Sequence, residues 1–378
     1  MVAERFDIAV IGAGIAGASV ASELSARHKV VLIEREAQPG YHTTGRSAAL
    51  FSETYGPAPI RALSRASAAF FRSPPDGFAE TALVSPRGVM MVAREDQMAA
   101  LDRLARESAG HDGNRLIDGR AARELVPLLR EGYVRGAFVE ANAADIDVHA
   151  LHHGYLRGFR RNGGALRTDA GVVGIDRSGA SWRIEARGAA FDADIVVNAA
   201  GAWADEIAAL AGAGVVGLVP KRRTAMMVDA PAGIAPEPWP MVVDIDEGFY
   251  LKPDAGRLLI SPADETPSPP CDAQPDEYDV ALCVDRIETA FDLRIARIDN
   301  KWAGLRSFVA DKVPVAGYDM AAPGFFWLAG QGGYGIQSAP ALARAAAALI
   351  EGHGLPGDIA DQGVHVDALA PARLERAA

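Results

Sequence analysis

Residues 6–17, FDIAVIGAGIAG, decide the fold of this chain. An apolar run typical of a buried parallel strand leads into Gly-x-Gly-x-x-Gly, and a helical pattern follows. In such a turn Gly12 permits the tight bend, Gly14 lets the backbone approach a pyrophosphate, and Gly17 lets the helix pack close to the strand. The N-terminus of the helix would offer free N–H groups and a positive dipole end to phosphates.

A second apolar strand supports a dinucleotide site. Residues 30–33, VVLI, form this strand, and Glu34 follows where a carboxylate can accept hydrogen bonds from a ribose. A glycine triplet alone is weak evidence, because any tight turn can contain one. Strand, glycines, helix, strand and acid in this order predict dinucleotide binding, although they do not identify the dinucleotide.

Length and composition restrict the class of protein. A chain of 378 residues is too long for one ordinary core, so two domains are expected. The net charge of −11 argues against nucleic acid and anionic membrane surfaces as partners. We find no signal-peptide pattern and no apolar run of membrane-spanning length, so we expect a cytoplasmic protein, with peripheral contact at the inner membrane left open. Cys271 and Cys283 are isolated, so neither a disulfide framework nor a metal site is expected.

The order of predicted elements indicates two interleaved domains. Apolar strands that enter small-residue turns occur at the start, near residues 195–203 and near residues 324–335. Patterns of antiparallel strands fill the gaps. We therefore predict a mixed α/β (α+β) fold, in which a Rossmann-like domain is interleaved with a domain built on a mixed antiparallel sheet. The first comprises residues 1–52, 145–214 and 318–378, and the second residues 53–144 and 215–317.

Several local predictions follow the same patterns. Ser47 before Ala48-Ala49-Leu50 is typical of a helix N-cap. Pro340 is expected in the first turn of the last helix, where a proline is tolerated. Further helices are predicted near residues 60–71, 97–106 and 148–161, and strands near residues 215–219 and 224–228.

Five stretches along the chain form a recognisable set: residues 12–17, Glu34-Arg35, residues 44–47 (TGRS), 198–203 (NAAGAW) and 332–335 (GGYG). On these stretches the whole chain resembles the D-amino-acid oxidase family of FAD flavoproteins, which includes glycine oxidase and sarcosine oxidase. Longer strings at residues 41–47, 145–147, 220–223, 249–254, 302–307 and 331–337 most resemble those of bacterial D-arginine dehydrogenases.

The resemblance implies that the Rossmann-like domain binds FAD extended across its sheet. The adenine end would meet Glu34, Arg35 and the backbone of Val173, and the pyrophosphate would meet residues 12–17 and Arg46. The FAD is expected to be non-covalent, because Gly304 stands where sarcosine oxidase-like members carry a flavin-linked cysteine. The expected cofactor-binding residues are Gly12, Gly14, Ile15, Ala16, Gly17, Glu34, Arg35, Thr44, Gly45, Arg46, Ser47, Ala48, Ala49, Val173, Ala200, Gly201, Trp203, Gly304, Gly332, Gly333, Tyr334, Gly335, Ile336 and Gln337.

The second domain is expected to bind an amino-acid substrate. A guanidinium suits a carboxylate, because its planar fork makes two charge-assisted hydrogen bonds. Strand alternation lets only one of Arg222 and Arg223 face a pocket, and the resemblance selects Arg223. It also implies that Arg306 binds the carboxylate and that Tyr250 adds a hydroxyl donor. Arg223, Tyr250 and Arg306 are therefore the expected catalytic set.

Two positions depart from the D-arginine dehydrogenase pattern. Val89 stands where those enzymes carry an acid, and Leu50 stands where they carry a histidine. A buried guanidinium without a carboxylate is strongly disfavoured, so an uncharged, largely apolar substrate side chain is expected. The expected pocket residues are Leu50, Tyr55, Val89, Met241, Gly332 and Gln337.

The predicted reaction is FAD-dependent oxidative deamination of a D-amino acid by hydride transfer from Cα to flavin N5. Water would hydrolyse the imino acid to a 2-oxo acid and ammonia, and a quinone, an electron carrier or O2 would accept the electrons. Leu259 stands where sarcosine oxidases carry an oxygen-activating lysine, which leaves oxidase and dehydrogenase both open. The alternatives are oxidation of an N-methyl amino acid, glycine or a 2-hydroxy acid, a nicotinamide-dependent dehydrogenase, and a flavin-binding protein without turnover.

Overall fold

The computed structural model describes residues 3–108 and 110–374. Its strands, in chain order, are β1 (Glu4–Ile11), β2 (Val30–Ile33), β3 (Leu50–Phe51), β4 (Val84–Pro86), β5 (Val89–Ala93), β6 (Asn114–Asp118), β7 (Gly136–Glu140), β8 (Ala144–Ile146), β9 (Ala165–Arg167), β10 (Val172–Ser178), β11 (Ser181–Ala186), β12 (Ala189–Asn198), β13 (Val219–Val228), β14 (Met241–Asp244), β15 (Tyr250–Asp254), β16 (Arg257–Ser261), β17 (Asn300–Phe308), β18 (Val315–Tyr318) and β19 (Phe325–Ala329).

The helices are α1 (Ile15–Leu24), α2 (Ala58–Arg72), α3 (Met98–Glu107), α4 (Gly119–Leu125), α5 (Val148–Arg161), α6 (Ala204–Leu210), α7 (Glu277–Ala290), α8 (Gly335–Ile350), α9 (Gly357–Ala360) and α10 (Val366–Leu369). Short 3-10 helices lie at Glu95–Gln97, Gly201–Trp203 and Pro371–Arg373. No helix in the described part of the chain is long and apolar enough to cross a membrane.

The first sheet is the Rossmann-like sheet that the sequence predicts. Its order is β9-β2-β1-β12-β19-β18, with parallel pairs from β9 to β19 and antiparallel β18 at the edge. The β10–β11 hairpin extends it beside the first half of β12. One face packs against α1, α2, α5 and α8, and the other packs against α6 and the hairpin. Parallel strands covered on both faces place a ligand crevice at their carboxyl ends, where α1 begins.

The second sheet has the order β17-β13-β16-β15-β14-β5-β7-β6. Its pairs are antiparallel except for the parallel pair of β14 and β5, as expected for a mixed antiparallel sheet. Alternate residues divide its two faces. Met90 and Val242 pack in the core under α7, whereas Val89 and Met241 face the other way. This second face is available to form a pocket. A small sheet of β3, β8 and β4 connects the two parts.

Two predictions for the first half of the chain are corrected. Residues 48–51 do not continue into a helix after Ser47. Leu50 and Phe51 instead form β3, paired with Asp145 and Ala144. This tertiary pairing overrides the local capping signal. The helix α2 lies in the segment assigned to the substrate-binding domain, yet it packs in the core of the first sheet with α1 and α8.

Three predictions for the second half are also corrected. Residues 215–218 form no strand, because the pairing with β17 begins at Val219. The helix α7 lies in a region where the sequence suggested only strands. Pro340 lies inside α8 and not in its first turn, since the helix already begins at Gly335. The N–H of Ala341, the next residue, donates to Ser67 Oγ of α2 at 3.1 Å.

Candidate active site

A groove of about 410 Å³ crosses the carboxyl edge of the first sheet. The turn between β1 and α1 forms its floor, and the glycines of this turn have no room for side chains. A Cβ at Gly12, where φ is +96°, would lie 2.5 Å from the carbonyl oxygen of Ala199. A Cβ at Gly17 would lie 1.8 Å from the carbonyl oxygen of Gly12. The turn therefore depends on glycine, as the fingerprint predicts.

Polar groups around this turn suit a dinucleotide. The Glu34 carboxylate accepts hydrogen bonds from Ala13 N at 2.8 Å and from Glu36 N at 3.0 Å, and it lines the groove. The N–H of Ile15, the first residue of α1, donates to Thr44 Oγ1 at 3.0 Å. The glycine cradle, the acid and the helix N-terminus together fit the phosphates and ribose of FAD.

Most of the expected cofactor residues line this groove. Gly17 and Gly45 do not line it, and Tyr334 packs against Tyr55 and Phe308. Ala49 and Gln337 line the adjoining pocket. The residues in the groove wall are Gly12, Gly14, Ile15, Ala16, Glu34, Arg35, Thr44, Arg46, Ser47, Ala48, Val173, Ala200, Gly201, Trp203, Gly304, Gly332, Gly333, Gly335 and Ile336.

Arg46 has protein partners in addition to its place in the groove wall. Its guanidinium donates to the carbonyl oxygens of Ala303 at 2.9 Å and Ala273 at 3.0 Å, and it pairs with Asp272. These bonds tie the loop of residues 44–47 to β17. Arg46 thus holds the loop in place, whereas the sequence interpretation gave it the pyrophosphate alone.

The part of the groove beside Glu34 contains expected residues, Arg35 and Trp203, and two that sequence reasoning missed, Glu36 and Arg187. The Arg35 guanidinium lies 4.6 Å from the Trp203 ring centroid. His42 packs on the other side of this part, 4.8 Å from the same ring, and its Nε2 lies 3.0 Å from Glu36 Oε1. Glu36, His42 and Arg187 all line the groove, and no pattern in the sequence marks Glu36 or Arg187 as a ligand.

A second pocket opens from the groove beneath the second sheet. Of the expected pocket residues, Gly332 borders only the groove, and the rest line the second pocket. Residues that border both cavities mark the junction: Ser47, Ala48, Arg223, Tyr250, Arg306, Gly333 and Ile336. The expected residues in the second pocket are Leu50, Tyr55, Val89, Met241 and Gln337, and the unexpected ones are Ser52, Met91, Val243, Glu247 and Ala263.

Met91 and Val243 could have been found from strand alternation. Each follows an expected pocket residue by two positions, namely Val89 and Met241, so each points to the same face. The parallel register pairs Met241 with Val89 and Val243 with Met91. These side chains make the pocket wall largely apolar.

Arg223 points into the pocket from β13. Only 7% of it is exposed, and it donates to the Asp264 carbonyl oxygen at 2.9 Å and to Glu265 Oε1 at 3.4 Å. Burial and the nearby charge of Arg306 lower the pKa of Arg223. The neighbouring Arg222 donates to Asp279 of α7 at 2.6 Å on the opposite face. The observed alternation therefore selects the same arginine as the resemblance.

Arg306 lies at the end of β17, where the two cavities meet. A Cβ at Gly333 would lie 2.8 Å from Arg306 Nη1, so the glycine lets the guanidinium approach the start of α8. Burial disfavours the charge, but Tyr55, Tyr250 and Glu247 outweigh that effect and raise the pKa of Arg306. Within residues 3–108 and 110–374, Arg306 has no ion pair. Its charge is thus available to an anionic ligand.

Glu247 is the acidic residue that lines this pocket in the described part of the chain. It lies in the turn between β14 and β15 with φ +57°, which is uncommon for a residue other than glycine. Asp244 Oδ2 supports the turn by accepting hydrogen bonds from Asp246 N at 3.1 Å and Gly248 N at 3.0 Å. Because a turn has no face pattern, the sequence gave no signal for Glu247.

A nucleotide groove joined to a carboxylate-compatible pocket is typical of flavin-dependent oxidoreductases. The chain belongs to the DAO family of FAD-dependent oxidoreductases, whose family profile matches residues 7–349.

Known proteins share the fold over nearly the full chain. Glycine oxidase of Geobacillus kaustophilus (strain HTA426) is 24% identical over 92% of this chain and 93% of that protein. The crystal structure of glycine oxidase from Geobacillus kaustophilus gives a TM-score of 0.80 over 94% of this chain and 99% of its own. The structure of L-α-glycerophosphate oxidase from Mycoplasma pneumoniae with FAD bound gives a TM-score of 0.83 at 19% identity, over 92% and 95%. At these identities the structures show a shared fold.

Proposed function

We propose that this protein oxidises D-amino acids with an uncharged, largely apolar side chain and uses non-covalent FAD. Arg306 carries the proposal. Its partly buried guanidinium lies at the junction of the two cavities, and the described residues give it no ion pair. A partly desolvated charge is costly unless an opposite charge pairs with it, and a substrate carboxylate is the natural partner.

Different residues at the junction would bind different parts of the substrate. Arg306 and Arg223 would bind the carboxylate, with Tyr250 as a hydroxyl donor, and the apolar wall around Val89 and Met241 would receive the side chain. When bound, FAD supplies the hydride acceptor for the substrate Cα. The imino acid product would then react with water to give a 2-oxo acid and ammonia.

Three observations support the finer parts of the proposal. Gly304 lines the groove and offers no side chain for a covalent flavin bond. The D configuration rests on the resemblance to bacterial D-arginine dehydrogenases, and the uncharged side chain rests on Val89 and Leu50. The relatives' names, glycine oxidase and glycerol 3-phosphate dehydrogenase, keep amines and alcohols as alternative substrate classes.

Glu247 favours a second candidate, oxidation of a D-amino acid with a cationic side chain. A carboxylate in the pocket wall can pair with a substrate ammonium or guanidinium. Kinetics of Glu247→Gln distinguish the two candidates. If the substrate is apolar, kcat/KM for D-leucine changes less than about threefold, whereas a cationic substrate would lose about tenfold or more with D-lysine.

The test of the proposal is anaerobic reduction of the flavin. The purified yellow protein is mixed with D- and L-leucine, D-methionine, D-lysine, D-arginine, glycine, sarcosine and a 2-hydroxy acid, and bleaching of the visible flavin band is followed. We expect the fastest bleaching with D-leucine and D-methionine. Faster bleaching with D-arginine would select the second candidate. A flavin that bleaches only with sarcosine or a 2-hydroxy acid would reject amino-acid deamination.

A further inference from the structure

Glu140 is a buried carboxylate next to the pocket that the proposed reaction does not use. It ends β7 with 3% of its surface exposed, directly opposite Val89 of β5. Its Oε2 accepts hydrogen bonds from Ser52 Oγ at 2.7 Å and Thr54 Oγ1 at 2.5 Å, and its Oε1 accepts one from Glu53 N at 2.9 Å. Three consecutive residues are thus fixed by one carboxylate.

The fixed segment leads directly to Tyr55. Ser52 N also donates to Gln337 Oε1 of α8 at 3.2 Å, so the segment is held between the second sheet and α8. Tyr55 then lines the pocket beside Arg306, with its ring 5.0 Å from that of Tyr334, and its proximity contributes to the raised pKa of Arg306. The position of Tyr55 over the carboxylate site therefore depends on how residues 52–54 are held.

We propose that Glu140 is a positioning residue that acts through Tyr55 on the binding of the substrate carboxylate. A buried carboxylate is costly to desolvate, and its three donors offset that cost only while the segment keeps this conformation. The same bonds fix the backbone that leads to Tyr55, which lines the pocket wall together with Arg306. This inference rests on the proposed function, which assigns Arg306 to the substrate carboxylate; the part played by Tyr55 is new here.

A double-mutant cycle tests the proposal on the holoenzyme. Benzoate serves as a carboxylate probe, and its Kd is measured from the change in flavin absorbance for wild type, Glu140→Gln, Tyr55→Ala and the double variant. We expect Glu140→Gln to weaken benzoate binding about tenfold when Tyr55 is present and less than about twofold in Tyr55→Ala. Equal weakening in both backgrounds, or none in either, would overturn the proposal.

Matched variants separate positioning from stability. Asp319 also accepts three protein hydrogen bonds, from Ala321 N, Ala322 N and Trp327 Nε1. It lies near the start of β19, at the end of the first sheet away from the groove. Asp319→Asn should lower stability and leave the benzoate Kd unchanged. If Glu140→Gln does not fold, Thr54→Val removes one donor and should weaken benzoate binding only in the presence of Tyr55.

The proposed function and the proposed role of Glu140 can be rejected independently of each other. Benzoate binding needs no turnover, so the cycle gives its result even if no amino acid bleaches the flavin. In that case the proposed function is rejected, but the double-mutant cycle still tests whether Glu140 affects carboxylate binding.

Discussion

The cofactor groove and the substrate pocket meet at Arg306, yet backbone turns form the surface of one and side chains form the surface of the other. The groove consists of turns at the carboxyl ends of parallel strands, where backbone groups and missing side chains make the surface. The pocket consists of side chains on one face of the second sheet, closed by Tyr55. Substitutions that add atoms to the groove should therefore abolish cofactor binding. Substitutions in the pocket wall should instead change which substrate side chain is preferred.

The largest effect should come from adding one methyl group to the groove. In Gly12→Ala the Cβ meets the backbone of Ala199, and φ is already +96°. We expect the purified variant to lose nearly all of its FAD, measured as the ratio of flavin to protein absorbance. Gly212→Ala is the control, since φ is +65° there and its Cβ meets open space. Full FAD content in Gly12→Ala would show that the turn can relax.

At the junction, Arg306→Lys should cost about 30- to 5,000-fold in kcat/KM. Truncating one member of a buried charge pair costs about 2–5 kcal/mol, and an ammonium lacks the planar fork. Stopped-flow flavin reduction gives the measurement. Arg222→Lys provides the contrast, because Arg222 pairs with Asp279 on the far face. Similar losses in both variants would remove Arg306 from the carboxylate site.

The groove also depends on a neutral histidine. His152 Nε2 donates to the carbonyl oxygen of Ala13 at 2.9 Å, and burial lowers the pKa of His152 to about 4. The unfolded chain, with a pKa near 6.5, then binds more protons between these values, so stability is lost as the pH falls from about 6.5 towards 4. We expect the free energy of unfolding to fall by about 2 kcal/mol from this group between pH 7 and 5.

Urea unfolding at several pH values measures this loss. His152→Gln keeps an N–H donor for Ala13 but cannot titrate, so its stability should fall less over the same range. Parallel pH profiles for wild type and His152→Gln would contradict the prediction.

The smallest expected effect is a change of preference in the pocket. Val89→Glu adds an acid to the apolar wall beside Met241. We expect the ratio of kcat/KM for D-arginine to that for D-leucine to rise about tenfold, because a cationic side chain gains a partner. Val89→Gln controls for size and polarity. An unchanged ratio in Val89→Glu would mean that the substrate side chain does not lie against β5.

The same contrast explains what could be predicted from the sequence. Gly12, Gly14 and Glu34 follow one another in a local motif, so the groove was evident from residues 6–34. Arg223 could be chosen only through a resemblance, although β13 does direct it towards the pocket and Arg222 away. Glu247 and Glu140 were missed, because a turn and a long-range carboxylate leave no periodic pattern.

The strand order of the first sheet also determines when this sheet can fold during synthesis of the chain. Its central strand β12 pairs with β1 from the start of the chain and with β19, which begins only at Phe325. A growing chain on the ribosome can therefore complete neither this sheet nor the groove until β19 has emerged. FAD can enter a finished groove only after that point, so a chain that stops before β19 has no complete site for the cofactor.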